Sequence, residues 1–296
     1  MYKILKKEQL AANIFLMDVL APRVAKNCLP GQFIIAKCGE DGERIPLTIC
    51  DYDRAAGTIT IVFQPVGAST IRMTQLNEGD AFDDFVGPLG VPSELCMEEN
   101  LEETKKKHIV FIAGGVGTAP VYPQVKWLKE HGVDSTVIMG SRTKDLLFFV
   151  DKMEEVATEL YVTTDDGSYG FHGMGTNQLQ ALVDEGKVYD HCVAIGPMIM
   201  MKFVCLLTKE LNIPTVVSMN PIMVDGTGMC GACRLIVGDE VKFACVDGPE
   251  FDGHKVDFDL AMARAAQYKT EEGRKKLELE EGDTHHGGCG HCGGDK

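Results

Sequence analysis

The chain has 296 residues, 45% of them apolar, and a formal net charge of −15. That acidity excludes nucleic acid and anionic membrane surfaces as partners, because both demand basic surface. The length suits about two domains of ordinary size plus a small appendage.

The N-terminus turns polar at Lys3, Lys6, Lys7 and Glu8 before an apolar stretch develops, so no leader peptide is expected. No run approaches the ~18 apolar residues of a membrane span. Six of the eleven cysteines are isolated, at 28, 38, 50, 96, 192 and 205. They form no disulfide framework, which points to a reducing, cytoplasmic setting.

Residues 1–98 read as β-rich. Strand-like runs at 13–19, 32–36 and 58–63 are separated by turns at Pro30-Gly31, Asp41-Gly42 and Ala56-Gly57. Nothing with a long helical period interrupts them, so a small antiparallel barrel is the expected closure. Arg44-Ile45-Pro46-Leu47-Thr48 places a cation, a stiffener and a hydroxyl on one strand. Gly67-Ala68-Ser69-Thr70 precedes a short helix expected over 71–76. Small residues at a helix start leave N–H groups open to an anion such as a dinucleotide pyrophosphate. The alternative is that Ser69 or Thr70 only caps the helix. Residues 96–106 are charged and read as a boundary or a solvated face.

Residues 104–220 read as a nucleotide-binding α/β domain. The apolar run 108–113 suits a strand buried on both faces. It leads directly into Gly114-Gly115-Val116-Gly117-Thr118-Ala119-Pro120 and a helix over 121–128. Strand, Gly-rich turn and helix make a phosphate-binding unit, although the spacing is not Gly-x-Gly-x-x-Gly. Further strands at 135–139, 160–164 and 191–195 end in Gly140-Ser141-Arg142, Asp165-Asp166-Gly167-Ser168 and Gly196-Pro197-Met198. A helix over 199–211 follows, and 215–219 is expected to be the last strand. Small and polar residues at successive strand ends describe a parallel sheet with a ligand crevice along one edge.

Residues 221–262 carry Asp225, Cys230, Cys233 and, further on, Cys245. Plant-type [2Fe–2S] sites use Cys-x₄-Cys-x₂-Cys with a distant fourth Cys, and here Asp occupies the first place. Gly226, Gly228, Gly231 and Ala232 let the loop curl tightly and aim N–H groups inward. Zinc on three Cys and one Asp is an alternative, as are plain buried thiols; ligand spacing ranks the cluster first. Residues 263–296 are a surface extension. They end in His285-His286-Gly287-Gly288-Cys289-Gly290-His291-Cys292, which reads as a flexible tail or a metal-binding tract.

The stretches 114–120, 164–170 and 196–197 resemble the ferredoxin–NADP reductase superfamily. With the cluster loop added, the resemblance narrows to the branch of the dihydroorotate dehydrogenase electron-transfer subunits. Asp225 resembles the small subunits of NADH-dependent ferredoxin:NADP oxidoreductases. This resemblance implies a flavin-binding antiparallel barrel, a parallel-sheet nucleotide domain and a C-terminal cluster domain. It implies FAD on Arg44, Pro46, Leu47, Thr48, Val62, Phe63, Gln64, Gly67, Ser69 and Thr70. NAD(H), or NADP(H), is implied along 114–120, Gly140, Ser141, Arg142, Asp165 to Ser168, and Gly196 to Met198. The implied cluster ligands are Asp225, Cys230, Cys233 and Cys245. Arg44 stands one position further from Thr48 than the superfamily's Arg-x-Tyr-Ser pattern has it, and the Tyr is missing. The implied activity is hydride exchange with NAD(H), then single-electron transfer to a larger flavin and iron–sulfur subunit in a heterodimer, reaching ferredoxin and NADP(H) by electron bifurcation. No acid–base residue is needed, and His108, His172 and His191 are expected to be structural, without partners.

Overall fold

The computed structural model describes residues 2–40 and 42–281. The chain begins with β1 (Tyr2–Ala11), β2 (Ile14–Leu20), α1 (Pro22–Asn27), β3 (Phe33–Lys37), β4 (Ile45–Asp53), β5 (Thr58–Phe63), α2 (Ala68–Met73), β6 (Ala81–Phe82) and β7 (Asp84–Leu89). The seven strands form one antiparallel sheet in the order β6-β1-β2-β5-β4-β3-β7. Its two edge strands, β6 and β7, are separated only by Asp83. Joining the two edges through one residue curls the sheet into the expected barrel, which leaves no long edge unpaired. Ile34, Ile49, Ile59, Ile61, Phe63, Phe82 and Phe85 fill its interior.

β1 is not among the strand runs read from the sequence. Its opening, Tyr-Lys-Ile-Leu-Lys-Lys, interleaves charge with apolar residues because the strand is largely solvent-facing; Ile4 alone is fully enclosed. The charged stretch after the barrel is partly folded, not a mere boundary. Leu95, Cys96 and Thr104 are buried in short helical turns ending in α3 (Leu101–Thr104).

The second sheet begins with β8 (Ile109–Gly114), α4 (Thr118–Glu130), β9 (Ser135–Ser141), α5 (Val150–Val156), β10 (Glu159–Thr164) and β11 (Phe171–His172). It continues with α6 (Gly175–Asp184), β12 (His191–Ile195), α7 (Met198–Glu210) and β13 (Thr215–Ser218). Strand order among these is β11-β10-β9-β8-β12-β13. β8 to β13 run parallel, and the order reverses at β8, which places a crevice between the carboxyl ends of β8 and β12.

The chain then forms a hairpin of β14 (Arg234–Val237) and β15 (Glu240–Phe243), followed by β16 (Glu250–Asp252), α8 (Phe258–Ala265) and α9 (Lys269–Glu281). The reading of 215–219 as the last strand is corrected here. β16 adds to the sheet antiparallel to β13, with Val217 opposite Phe251. Only three residues long, β16 has no periodicity of its own; pairing with β13 creates it. One core joins α4 and the barrel residues Ile14, Leu16 and Val62. Another joins the far face of the sheet to Phe33 and Ile35 of the barrel and to Cys233, Leu235 and Cys245. Among the described residues no helix is long and apolar enough to cross a membrane. The His/Cys tract at 285–292 lies outside the described residues.

Candidate functional site

Three groups of residues read from the sequence lie in the barrel, at the carboxyl edge of the sheet and in the cluster loop. In the barrel, Pro46, Leu47 and Thr48 pair with Ile35, Ile34 and Phe33 and stay half-buried. Val62 and Phe63 are buried at the end of β5, and Gln64 follows at the rim. The short helix starts earlier than its sequence suggests, so Ser69 and Thr70 lie inside it and Gly67 is the N-cap. Neither hydroxyl belongs to an N-cap residue. Thr70 Oγ1 accepts from the N–H groups of Val66 (3.0 Å) and Gly67 (3.1 Å), while Ser69 Oγ donates to Glu43 Oε2 at 2.6 Å.

Arg44 turns away from this group. Its Nη1 pairs with Asp84 Oδ2 at 3.1 Å, its Nε donates to Val224 O at 3.0 Å and its Nη2 to Asp225 O at 3.4 Å. The cation placed on the barrel strand by sequence is thus committed to the cluster loop.

In the sheet, the carboxyl ends of β8 and β12 meet through glycines. A Cβ on Gly117 would lie 2.1 Å from Ile195 O, and one on Gly196 would lie 3.0 Å from Gly114 O. Gly115 has φ +55 and faces open space. Val116 stands beside it, and Thr118, Ala119 and Pro120 form the buried first turn of α4. Gly140 lies opposite Gly114, and Ser141 opposite Thr164, at the ends of β9 and β10. Asp165 N donates to Ser141 O, and Asp166 N to Arg142 O, tying those two strand ends together. Ser168 donates to Asp166 Oδ1 from both N (3.0 Å) and Oγ (2.6 Å), which holds the Asp166 carboxyl below the usual carboxylate range. Gly167, at φ +71, closes that turn. Pro197 caps α7, and Met198 begins it. Met200, absent from the sequence reading, packs its sulfur against Gly114 and Gly196. Nothing in its local sequence separates it from Met198 or Met201.

In the cluster loop, Cys233 and Cys245 are buried with their sulfurs 3.3 Å apart, and Cys230 is exposed. A two-iron cluster takes two protein donors per iron, and Cys233 and Cys245 are close enough that they would serve as two of its donors. Burial and the neighbouring Cys233 sulfur raise the Cys245 thiol, while the Gly228 N–H points at it. Asp225 Oδ1 accepts from Thr227 N at 2.5 Å and Oδ2 from Cys230 N at 2.6 Å. Together with a longer bond from Thr227 Oγ1 to Oδ1 (3.4 Å), those bonds hold the carboxyl below the usual carboxylate range, and Oδ2 would keep a lone pair for iron. Gly226, Gly228 and Gly231 have φ values of +79, +87 and +69, which only glycine adopts at little cost. The donors and the loop fit an iron–sulfur cluster.

The histidines lie elsewhere. His108, expected to be unpartnered, is paired with Asp190 (Nδ1 to Oδ2, 3.0 Å) just before β8, at the end of the sheet opposite the crevice. His172 is exposed on β11. Burial drives the His191 pKa down to about 4.

An antiparallel barrel, a parallel sheet switching at β8 and a Cys-bearing loop together define a ferredoxin–NADP reductase-type oxidoreductase with an iron–sulfur domain. Residues 220–257 match the iron–sulfur cluster binding domain of dihydroorotate dehydrogenase B. A Thermotoga maritima protein, described as a dihydroorotate dehydrogenase B (NAD(+)) electron transfer subunit homolog, is 46% identical over 91% of this chain and 92% of its own. The chain belongs to that electron-transfer subunit family. An uncharacterized protein in the adh 3′ region of Clostridium beijerinckii is 65% identical over the full length of both. A chain of the NADH-dependent reduced ferredoxin–NADP oxidoreductase structure, which concerns flavin-based electron bifurcation, superposes with a TM-score of 0.86. It is 42% identical, over 95% of this chain and 98% of that one. An Amycolatopsis cytochrome P450 reductase shares the fold alone, at a TM-score of 0.59 and 18% identity over 71% of this chain and 65% of its own.

Proposed function

We propose that the chain is a flavin and iron–sulfur electron-transfer subunit that draws electrons from NAD(H) and delivers them singly to a larger partner subunit. The observation that carries this reading is the seat of the cluster loop on the barrel. A Cβ at Gly226 would strike Ile35 and Leu89, so the loop bearing Asp225 lies directly on strands β3 and β7. A flavin held by the barrel and a cluster held by the loop would then be neighbours.

We assign residues 1–98 to the flavin, 104–220 to the nicotinamide nucleotide, 221–262 to the cluster and 263–296 to a surface extension. Pro46, Leu47 and Thr48 would line the flavin, with Val62, Phe63, Gln64, Gly67, Ser69 and Thr70 around its nucleotide end. Gly114 to Pro120 and Gly196 to Met198 would cradle the dinucleotide phosphates with backbone N–H groups at the start of α4. Gly140 to Arg142 and Asp165 to Ser168 would flank its ribose. Asp225, Cys230, Cys233 and Cys245 would hold the cluster. When bound, the flavin exchanges two electrons with the nucleotide and the cluster carries one at a time. The chain supplies no acid or base; it orients the groups and keeps water from the buried Cys233 and Cys245.

The favoured assembly is a cytoplasmic bifurcating complex linking NAD(H), ferredoxin and NADP(H), supported by the likeness to the oxidoreductase structure and by Asp225 in place of a fourth Cys. The second reading, reduction coupled to dihydroorotate oxidation, is favoured by the names of the relatives. Anaerobic purification with the native partner decides between them. Stoichiometric flavin, iron and sulfide with NADP reduction that requires both NADH and reduced ferredoxin supports the first, and orotate formation from dihydroorotate supports the second. A preparation lacking inorganic sulfide overturns both.

A further inference from the structure

Arg44 joins the barrel to the cluster loop. It leaves the start of β4, pairs with Asp84 of β7, and donates to the backbone carbonyls of Val224 and Asp225. Asp84 lies opposite Lys37 in the β3–β7 ladder, beside the strands on which Gly226 is seated. The guanidinium therefore fixes the first residues of the loop and brings a permanent positive charge to the backbone of a cluster ligand. Among the described residues, its counter-charge, the Asp84 carboxylate, bonds to Arg44 and not to the loop.

We propose that Arg44 and Asp84 are a positioning pair that sets the reduction potential of the cluster, Arg44 raising it and Asp84 tempering it. This rests on the iron–sulfur reading of the loop given above. Reduction adds one negative charge to the cluster, and a nearby cation stabilises the reduced state while an anion opposes it. Both side chains keep some contact with water, 30% and 47% of the side chain for Arg44 and Asp84, so screening makes the effect moderate. The bonds to 224 and 225 add a mechanical part: without them the loop loses its hold on the barrel at Arg44.

The test is a redox titration of the cluster, followed by electron paramagnetic resonance, in the purified subunit and three variants. Arg44→Gln is expected to lower the midpoint potential and Asp84→Asn to raise it. Each should shift the one-electron equilibrium about three- to tenfold, the upper figure being ~59 mV. Arg44→Lys keeps the charge but not the fork, so it should hold the potential nearer the wild type while hydrogen exchange at 224–230 speeds up. Shifts of opposite sign separate this role from a structural one, which would move both variants the same way. Shifts of the same sign, or none, in proteins with full iron and sulfide refute the pair and leave the iron–sulfur reading intact. If Arg44→Gln fails to load a cluster, the sign of the Asp84→Asn shift decides alone. Wild-type protein without iron and sulfide overturns the reading and this inference together.

Discussion

Gly115 and Gly117 sit two residues apart in the same turn, yet adding one methyl group to each should have very different consequences. Gly117 has φ −59 and ψ −14, a conformation open to alanine, so its backbone raises no objection. Space does: the new Cβ would meet Ile195 O at 2.1 Å and Gly196 Cα at 2.9 Å. Relieving the first contact to about 3.2 Å requires α4 and the end of β12 to part by about 1 Å. Both obstacles are backbone, so no side chain can swing away, and the cost should reach the upper end of overpacking, about 3 kcal/mol. Gly115 presents the reverse case, with φ +55 and no neighbour within reach. Alanine there pays only the left-handed penalty, about 1–2 kcal/mol. Urea unfolding should therefore rank Gly117→Ala as the more destabilised variant. Fluorescence titration with NADH should show roughly a tenfold or greater weakening for Gly117→Ala, since tenfold corresponds to ~1.4 kcal/mol. Equal losses in the two variants, or a worse one at Gly115, would refute the claim that helix and strand meet through Gly117.

His191, depressed by burial from its ordinary value to about 4, ionises more readily in the unfolded chain. Its stabilising contribution is present above pH 6.5 and is lost as pH falls toward 4. About 1–2 kcal/mol should disappear between pH 7 and pH 5, allowing for its partial exposure, and His191→Leu should flatten that slope in urea titrations. Glu250 runs the other way. Its carboxyl is raised by withdrawal from water and accepts from Gln124 Nε2 at 2.6 Å, and Ser93 Oγ donates to the Gln124 side chain at 3.2 Å. Its contribution is fullest at low pH and declines as pH rises from the unfolded value through the folded one. Glu250→Gln should remove that decline and be at least as stable as the wild type at pH 8; a loss beyond about 1 kcal/mol there would show that the charged form is the one the fold requires.

The chemistry of the loops was legible because it is local. Asp225, Cys230 and Cys233 are spaced along a single loop, and glycines with positive φ announce themselves by identity. The parallel strands were legible for the same reason: 108–113 is apolar throughout because both of its faces are covered. β1 was missed because a mostly exposed strand carries charge. β16 was missed because three residues cannot display a period.

The succession of antiparallel barrel, parallel sheet and cysteine-bearing loop could be read along the chain, since each depends on patterns within a few dozen residues. Tertiary structure alone decided what Arg44 does, because its partners are 40 and 180 residues away and only barrel closure brings them together. It likewise decided that Gln124 and Glu250, 126 residues apart, share a hydrogen bond at the junction of the three parts. A cation or a carboxyl in a sequence shows its charge; which opposite group it meets is settled by how the sheets close and pack.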